Sequence, residues 1–124
     1  MNDKVYIIGG FTYDNFVNQE RDVWTDVWRS QDNLDVWEKI GYIPTDIFGR
    51  GLMYHDTVIF DNKLWIIGGA RKNQGNTNEI WFSEDGINWK KLSCSPIKKT
   101  HATSLFATDN SLLIAAGNGW SRKI

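Results

Sequence analysis

Apolar residues in this chain fall into short blocks of four to six, and polar turn residues separate one block from the next. A helix would spread its apolar residues at a period of 3.6, whereas short apolar blocks between turns are typical of buried β-strands. Asp61-Asn62 separates two blocks as the loop of a two-residue hairpin does, and Asp85-Gly86 supplies a residue that tolerates positive φ. The pattern therefore predicts an all-β chain.

One strand sequence recurs along the chain. Residues 4–10 and 63–69 both run from a lysine through four apolar residues to a double Gly, and residues 111–117 repeat the pattern more weakly with an Ala-Gly pair. A Trp-containing strand follows the first two copies, and its tryptophans, Trp28 and Trp81, are 53 residues apart. A period near 50 indicates kelch-type propeller repeats.

The repeated unit contains two further segments. A second tryptophan closes each of the first two units, and residues 54–60 open a unit and are echoed by residues 100–106. This alignment places His55 and His101 at corresponding points, and it makes the hairpin of the third unit two residues longer, with residues 108–110 at its tip. Four short strands per unit is the composition of one propeller blade.

Residues 55–69 and 79–89 together resemble the blade of bacterial kelch-repeat proteins, a group related to the propeller of galactose oxidase. The likeness rests on the order of a His, an apolar strand, a double Gly, a Trp strand and a closing Trp, and it covers nearly the whole chain. The family usually has a basic residue three positions before the His. Lys98 keeps this feature, whereas Arg50 lies five positions before its His. The resemblance implies blades that are four-stranded antiparallel sheets.

The predicted blades do not complete a ring. Blade one, residues 4–40, lacks its inner strand; blade two, residues 53–92, is complete; half blade three, residues 100–117, stops after two strands. That gives nine strands, whereas a propeller needs about four to eight blades of four strands each. We therefore expect an incomplete propeller that is part of a longer propeller chain or self-associates, with residues 101–108 of a neighbour filling the missing inner position.

Composition and charge narrow the classes of function. Aromatic residues make up 14% of the chain, with seven Trp and eleven Gly, which suits strands and tight turns. The net charge is −1 with both signs scattered, so no basic face is expected for nucleic acid. No stretch approaches the roughly 20 apolar residues that span a bilayer, and the run at residues 5–8 is too short for a secretory signal. We expect no nucleic-acid or membrane partner, and a cytoplasmic location by default.

Few residues offer catalytic or metal chemistry. Cys94 is the only cysteine, which excludes an internal disulfide and a zinc cluster built on thiolates. His55 and His101 alone would leave a metal site incomplete, so we expect them to bond to backbone between blades and expect no metal or cofactor. The copper-site positions of galactose oxidase cannot be matched here. Residues 83–89 resemble the Asp-box turn of sialidase propellers, one residue shorter, and we assign them to hairpin geometry.

Loops of one face remain as the most plausible contact surface, because function in repeat folds collects there. They are residues 11–21 and 71–78, which follow the Gly pairs, together with Trp24, which stands outside the repeat positions. Arginine in such a loop can bind carboxylates or phosphates, although a solvated surface charge is the plainer interpretation. The candidate ligand-binding residues are Arg50, His55, Arg71, His101 and Trp120.

The function expected from these features is a non-catalytic module that recognises a protein or a glycan through its loops. It follows from the kelch resemblance and from the lack of a paired acid and base or an activated nucleophile in the sequence. One alternative is a fragment or subunit of a sugar-modifying kelch enzyme, sialic acid isomerase-like or oxidase-like. A third possibility is a truncated gene product with no independent role.

Overall fold

The computed structural model describes residues 1, 3–13 and 21–118, and the chain is all-β, as the sequence predicts. The strands are β1 (Tyr6–Tyr13), β2 (Arg21–Ser30), β3 (Trp37–Tyr42), β4 (Asp56–Phe60), β5 (Lys63–Ile67), β6 (Ala70–Arg71), β7 (Gly75–Asn76), β8 (Ile80–Ser83), β9 (Lys90–Lys91), β10 (Ser104–Ala107) and β11 (Leu112–Ala115). No helix occurs among these residues, so none of them provides an apolar helix that could cross a membrane.

The strands form three main antiparallel sheets and one small ribbon. The first sheet has the order β1-β2-β3, the second β4-β5-β8-β9 and the third β10-β11. These counts of three, four and two agree with the counts expected from the repeats. The ribbon of β6 and β7 lies in the loop after the double Gly of the second sheet and is not predicted by the apolar pattern. Within the described chain β1 pairs with β2 alone, whereas its counterpart β5 pairs with both β4 and β8.

The tight turns adopt the conformations that their residues favour. Phe60 pairs with Lys63, and the two residues between them, Asp61 and Asn62, have φ values of 49° and 52°. Positive φ at both central residues matches the twist of a two-residue hairpin. The predicted hairpin at this position is confirmed.

Double glycines follow the apolar residues of β1 and β5, lying within β1 and directly after β5, and neighbouring chain approaches them closely. Gly68 has a φ of 65°, and a Cβ atom there would lie 2.8 Å from the carbonyl oxygen of Thr100 in the neighbouring repeat. Glycine avoids both the steric overlap and the cost of a left-handed backbone. Ala116 takes the same place in the third sheet with a φ of 59°, which is costly for a residue with a Cβ.

The main core lies between the first and second sheets. Its buried side chains are Val27, Ile43, Leu52 and Ile66. Trp81 and Trp89 pack against this cluster, as expected for tryptophans at repeat positions. Burying one large apolar side chain contributes about 1.5–3 kcal/mol. The cluster therefore stabilises the contact between these two sheets.

The second sheet has one face toward the first sheet and the other toward the third. Side chains alternate along a strand, so Leu64 and Ile66 share one face of β5, and Ile66 lies in the core with the first sheet. Ile67 points the other way and is paired with Asp56. The Oδ2 of Asp56 accepts a hydrogen bond from the backbone N–H of Leu105 in the third sheet, at 2.8 Å. The strands β4 and β10, each the first strand of its sheet, thus lie side by side.

The third sheet aligns with the second differently from the prediction. Met53 forms an isolated backbone bridge with Ala70, the residue after the double Gly of the second sheet. His101 forms the same kind of bridge with Asn118, the residue after the Ala-Gly pair of the third sheet. His101 therefore corresponds to Met53, and Thr103 stands where His55 stands. The prediction that the two histidines open their strands at the same point is wrong.

The length of the third hairpin loop explains why that prediction is wrong. The backbone N–H of Thr108 donates to the carbonyl of Ser111 at 2.9 Å, so the loop contains two residues, Asp109 and Asn110. The loop between β4 and β5 also contains two, so the predicted extension by two residues is wrong as well. His55 and Phe60 have the same spacing as His101 and Phe106. Aligning the sequence on these residues shifts the third repeat by two positions from the alignment that the structure shows.

Candidate functional site

The candidate residues named from the sequence do not form one site. Trp120 and residues 14–20 of the first loop lie outside the described residues. Trp24 is 51% exposed on β2. The remaining candidates lie at three places: between the first two sheets, beside the ribbon, and between the second and third sheets.

His55 connects the first two sheets. Its Nε2 donates to the carbonyl oxygen of Ile8 at 3.1 Å, and burial lowers the pKa of the imidazole. A Cβ added at Gly9 would lie 2.8 Å from the ring, so the contact is close. The expectation that His55 bonds to backbone between repeats is confirmed.

Arg71 is buried rather than presented by its loop. Its Nη2 lies 2.6 Å from the carboxylate of Glu79, its Nη1 donates to the carbonyl of Arg50, and its side chain is 2% exposed. Burial alone would raise the pKa of Glu79, but hydrogen bonds from Arg71 and Trp81 hold it below its ordinary value. Arg71 was a candidate for binding a ligand carboxylate or phosphate, and in the structure its guanidinium is engaged within the fold by Glu79 and the carbonyl of Arg50.

Arg50 joins two loops. Its guanidinium pairs with Asp46 at 2.7 Å and donates to the side-chain oxygen of Gln74 at 3.0 Å. Its Cζ lies 4.8 Å from the ring centre of Phe48. Arg50 therefore holds the ribbon loop against the segment before β4, and only a part of its charge faces solvent.

His101 lines an open depression at the junction of the second and third sheets. The depression has a volume of about 400 Å³, and its lining includes Tyr54, Asn73, Asn76, His101 and Asn118. The Nδ1 of His101 lies 2.7 Å from the Oδ1 of Asn76, whose Nδ2 donates to the carbonyl of Asn118 at 2.9 Å. These bonds fix the imidazole against the ribbon and make Nδ1 the donor.

Three rings form a row beside this depression. The ring centre of Tyr54 lies 4.5 Å from that of Phe11 and 5.4 Å from that of His101, so the row crosses all three sheets. Tyr54 has a φ of 56°, a conformation that costs a residue with a Cβ about 1–3 kcal/mol and that clusters at functional sites. The carbonyl of Tyr54 accepts from the N–H of Ala102 at 2.9 Å, which helps to hold it there.

The sequence did not single out Tyr54 or Asn76. Tyr54 directly precedes the repeat histidine, and nothing in its surroundings in the sequence indicates a left-handed backbone. Asn76 lies in a polar loop, and its contact with His101 depends on the ribbon, which the apolar pattern does not predict. The abundance of amide side chains in residues 73–78 was the available signal.

The Asp-box-like turn is structural, as the sequence predicts. Asp85 accepts hydrogen bonds from the backbone N–H groups of Ile87 at 2.8 Å and Asn88 at 2.7 Å. Burial opposes ionisation, but these hydrogen bonds and one from Ser83 hold the pKa of Asp85 well below its ordinary value. All of its interactions are within the turn that joins β8 to β9.

Comparison with known proteins assigns no family to the chain. A scan against protein-family models gives no match, and a search of curated proteins finds no significant match. Within the part of the chain that the structure describes, no three His, Cys, Asp or Glu side chains come close enough to hold a metal ion. The function is therefore inferred from the repeats and from the geometry of the depression.

Proposed function

We propose that this chain is part of a kelch-type β-propeller and acts as a non-catalytic binding module that takes a glycan at the depression beside His101. Support for the blade assignment comes from the repeated strand order, from sheets of three, four and two strands, and from the pair of positive-φ residues that follows the apolar residues of the corresponding strand in each repeat. The resemblance to bacterial kelch repeats points the same way.

The depression carries the two kinds of group that bind sugars. Tyr54 and His101 supply ring faces on which the apolar face of a pyranose can stack. Asn73 and Asn76 supply amide donors and acceptors for hydroxyl groups. The observation that carries the proposal is the ring pair itself, with His101 held in place by Asn76 at 2.7 Å.

A catalytic role is disfavoured by the lining of the depression. None of the described residues that line it carries a carboxylate, so His101 has no acidic partner there for acid–base chemistry. The carboxylate of Glu79 lies nearby but is committed to Arg71. A sugar-modifying subunit remains the alternative, and a turnover assay with sialylated and galactosylated sugars separates it from a binder.

The test is a glycan array followed by calorimetric titration of any sugar that binds. We expect His101→Ala to weaken binding by about tenfold, the equivalent of 1.4 kcal/mol. Tyr42→Ala is the matched control, because Tyr42 is a 57% exposed ring on β3, outside the depression. The Tyr42→Ala variant should bind the sugar with the same affinity as the wild type.

Two results would count against a glycan. Silence across neutral and sialylated sugars, with the protein folded, would contradict it and leave a protein ligand as the remaining form of the module. Equal loss of binding in the His101 and Tyr42 variants would show that the sugar binds elsewhere.

A further inference from the structure

The two ends of the three-sheet stack expose apolar side chains that lie in strands or directly beside them. At one end, Val5, which directly precedes β1, is 48% exposed, and Ile7, which lies in β1, is 52% exposed. At the other end, Phe106 of β10 and Leu113 of β11 are 55% and 51% exposed. Phe106 and Leu113 are paired in register and so share one face of the third sheet.

The first-sheet residues occupy positions that are buried elsewhere in the chain. When the double glycines are aligned, Val5 corresponds to Leu64 and Ile7 corresponds to Ile66. Leu64 is 2% and Ile66 0% exposed, because both face the first sheet. The outer face of the first sheet therefore repeats a surface that, in the second sheet, is covered by a neighbouring sheet.

The exposed residues of the third sheet correspond to residues on the opposite face of the second sheet. Leu113 corresponds to Trp65, and Phe106 corresponds to Val58, which pairs with Trp65. Trp65 and Val58 lie on the face of the second sheet that is turned toward the third, the face that also carries Asp56 with its bond to Leu105. The outer face of the third sheet is therefore the kind of surface on which a following sheet packs.

We propose that these end faces bind each other between two copies of this chain, the Phe106–Leu113 face of one copy covering the Val5–Ile7 face of the other. The chain itself shows what each face accepts, because the contacts between its own neighbouring sheets join the same repeat positions. A second copy of the chain supplies both of these faces. Trp28 extends the first-sheet face, as Trp81 does in the second sheet, since each pairs with the matching residue of the Gly-ended strand.

Two copies bring both pairs of end faces together. Each copy contributes three main sheets, so a pair contains six, which lies within the range of about four to eight blades in closed propellers. Two head-to-tail contacts related by a twofold axis then leave no end face exposed. This closure rests on the proposed blade assignment, whereas the pairing of the faces does not.

The first measurement is the mass of the 124-residue chain in solution, by sedimentation or light scattering at micromolar concentration. We expect twice the chain mass of 14.3 kDa. Ile7→Glu and Leu113→Glu should each give a folded monomer, because each places a charge in one half of the contact. Ile47→Glu is the matched control, since Ile47 is 93% exposed in a loop away from both faces, and it should stay dimeric.

Mixing the two monomeric variants tests the head-to-tail geometry. Ile7→Glu keeps an intact third-sheet face, and Leu113→Glu keeps an intact first-sheet face, so the mixture should form dimers through one remaining contact. If like faces paired instead, mixing would restore nothing beyond what each variant does alone, and the proposal would fail.

Three other outcomes overturn the proposal. A wild-type chain that is folded, shown by its near-ultraviolet circular dichroism, and monomeric would show that a second copy does not cover the ends. A mass well above two copies would exclude the closed pair. Unchanged dimers in both glutamate variants would place the contact elsewhere. Glycan binding is measured separately with the His101 variant, so failure of one proposal is distinguishable from failure of the other.

Discussion

The Nε2 of His55 donates to the carbonyl oxygen of Ile8 across the junction of the first and second sheets, at 3.1 Å. The bond satisfies the carbonyl that precedes the double Gly of the first repeat with a side chain from the second repeat. Burial lowers the pKa of His55, while hydrogen bonds to backbone and the carboxylate of Asp56 act in the opposite direction. The imidazole is therefore neutral in the folded chain near neutral pH.

This neutrality predicts a pH dependence of stability. The unfolded chain takes up a proton at His55 as the pH falls through about 6.5, whereas the folded chain takes it up at lower pH. The contribution of His55 to the free energy of unfolding is thus complete above about pH 6.5 and declines below it. Urea unfolding at about pH 7.5 and 5.5 should show a larger decline for the wild type than for His55→Gln. An equal decline in both would contradict the prediction.

Two glycines with positive φ should respond differently to alanine. Gly68 has a Cβ position 2.8 Å from the carbonyl oxygen of Thr100, whereas Gly75 has no atom within 4 Å of its own. Left-handed backbone costs alanine about 1–2 kcal/mol at both sites, and at Gly68 the overlap adds to it. We expect Gly68→Ala to lose about 2–4 kcal/mol of unfolding free energy and Gly75→Ala about 1 kcal/mol. Equal losses would show that the neighbouring repeat yields to the new Cβ.

The buried pair of Arg71 and Glu79 should be strongly coupled. Arg71→Met leaves the Glu79 carboxylate without its main partner, and breaking a buried ion pair costs about 3–5 kcal/mol. The double variant Arg71→Met, Glu79→Met removes both charges and should lose clearly less than the sum of the two single losses. A double-mutant cycle in urea measures the difference, and additivity within about 0.5 kcal/mol would refute the coupling.

The Asp85 turn should contribute stability that disappears in acid. Asp85→Ala removes the acceptor of the Ile87 and Asn88 N–H groups and should cost about 2–4 kcal/mol. Because the pKa of Asp85 is lowered by folding, its contribution is complete above about pH 4 and is lost as the pH falls further. The neighbouring, exposed Glu84 is the control, and Glu84→Ala should change stability by at most about 0.5 kcal/mol. Similar losses in the two variants would argue against a special role for Asp85.

The strand pattern could be predicted from the sequence because apolar blocks and turn residues are local signals. The loop at Asp61 and Asn62 and the packing of Trp81 and Trp89 are examples. The alignment of His101 could not be predicted in the same way. Side chains alternate with a period of two, so a shift by two residues keeps every side chain on the same face and leaves the apolar pattern unchanged. The backbone bridges of Met53 and His101 reveal the shift.

The candidate site was harder to predict than the fold because it depends on contacts between distant segments. Burial of Arg71 follows from Glu79, which lies eight positions along the chain, beyond the ribbon. The contact of His101 with Asn76 joins residues 25 positions apart. Neither contact has a local sequence signal, because the sequence of a polar loop does not indicate whether its side chains face solvent or one another.

The outer faces of the first and third sheets differ from each other, so the proposed assembly of copies would have a direction. Each copy that adds to an end covers one face and brings the other with it, so addition alone never uses up the binding surface. Growth ends only when the rotation between successive sheets brings the last face back to the first. The rotation that the chain sets between its own three sheets thus decides between a finite ring and a fibre that lengthens with concentration.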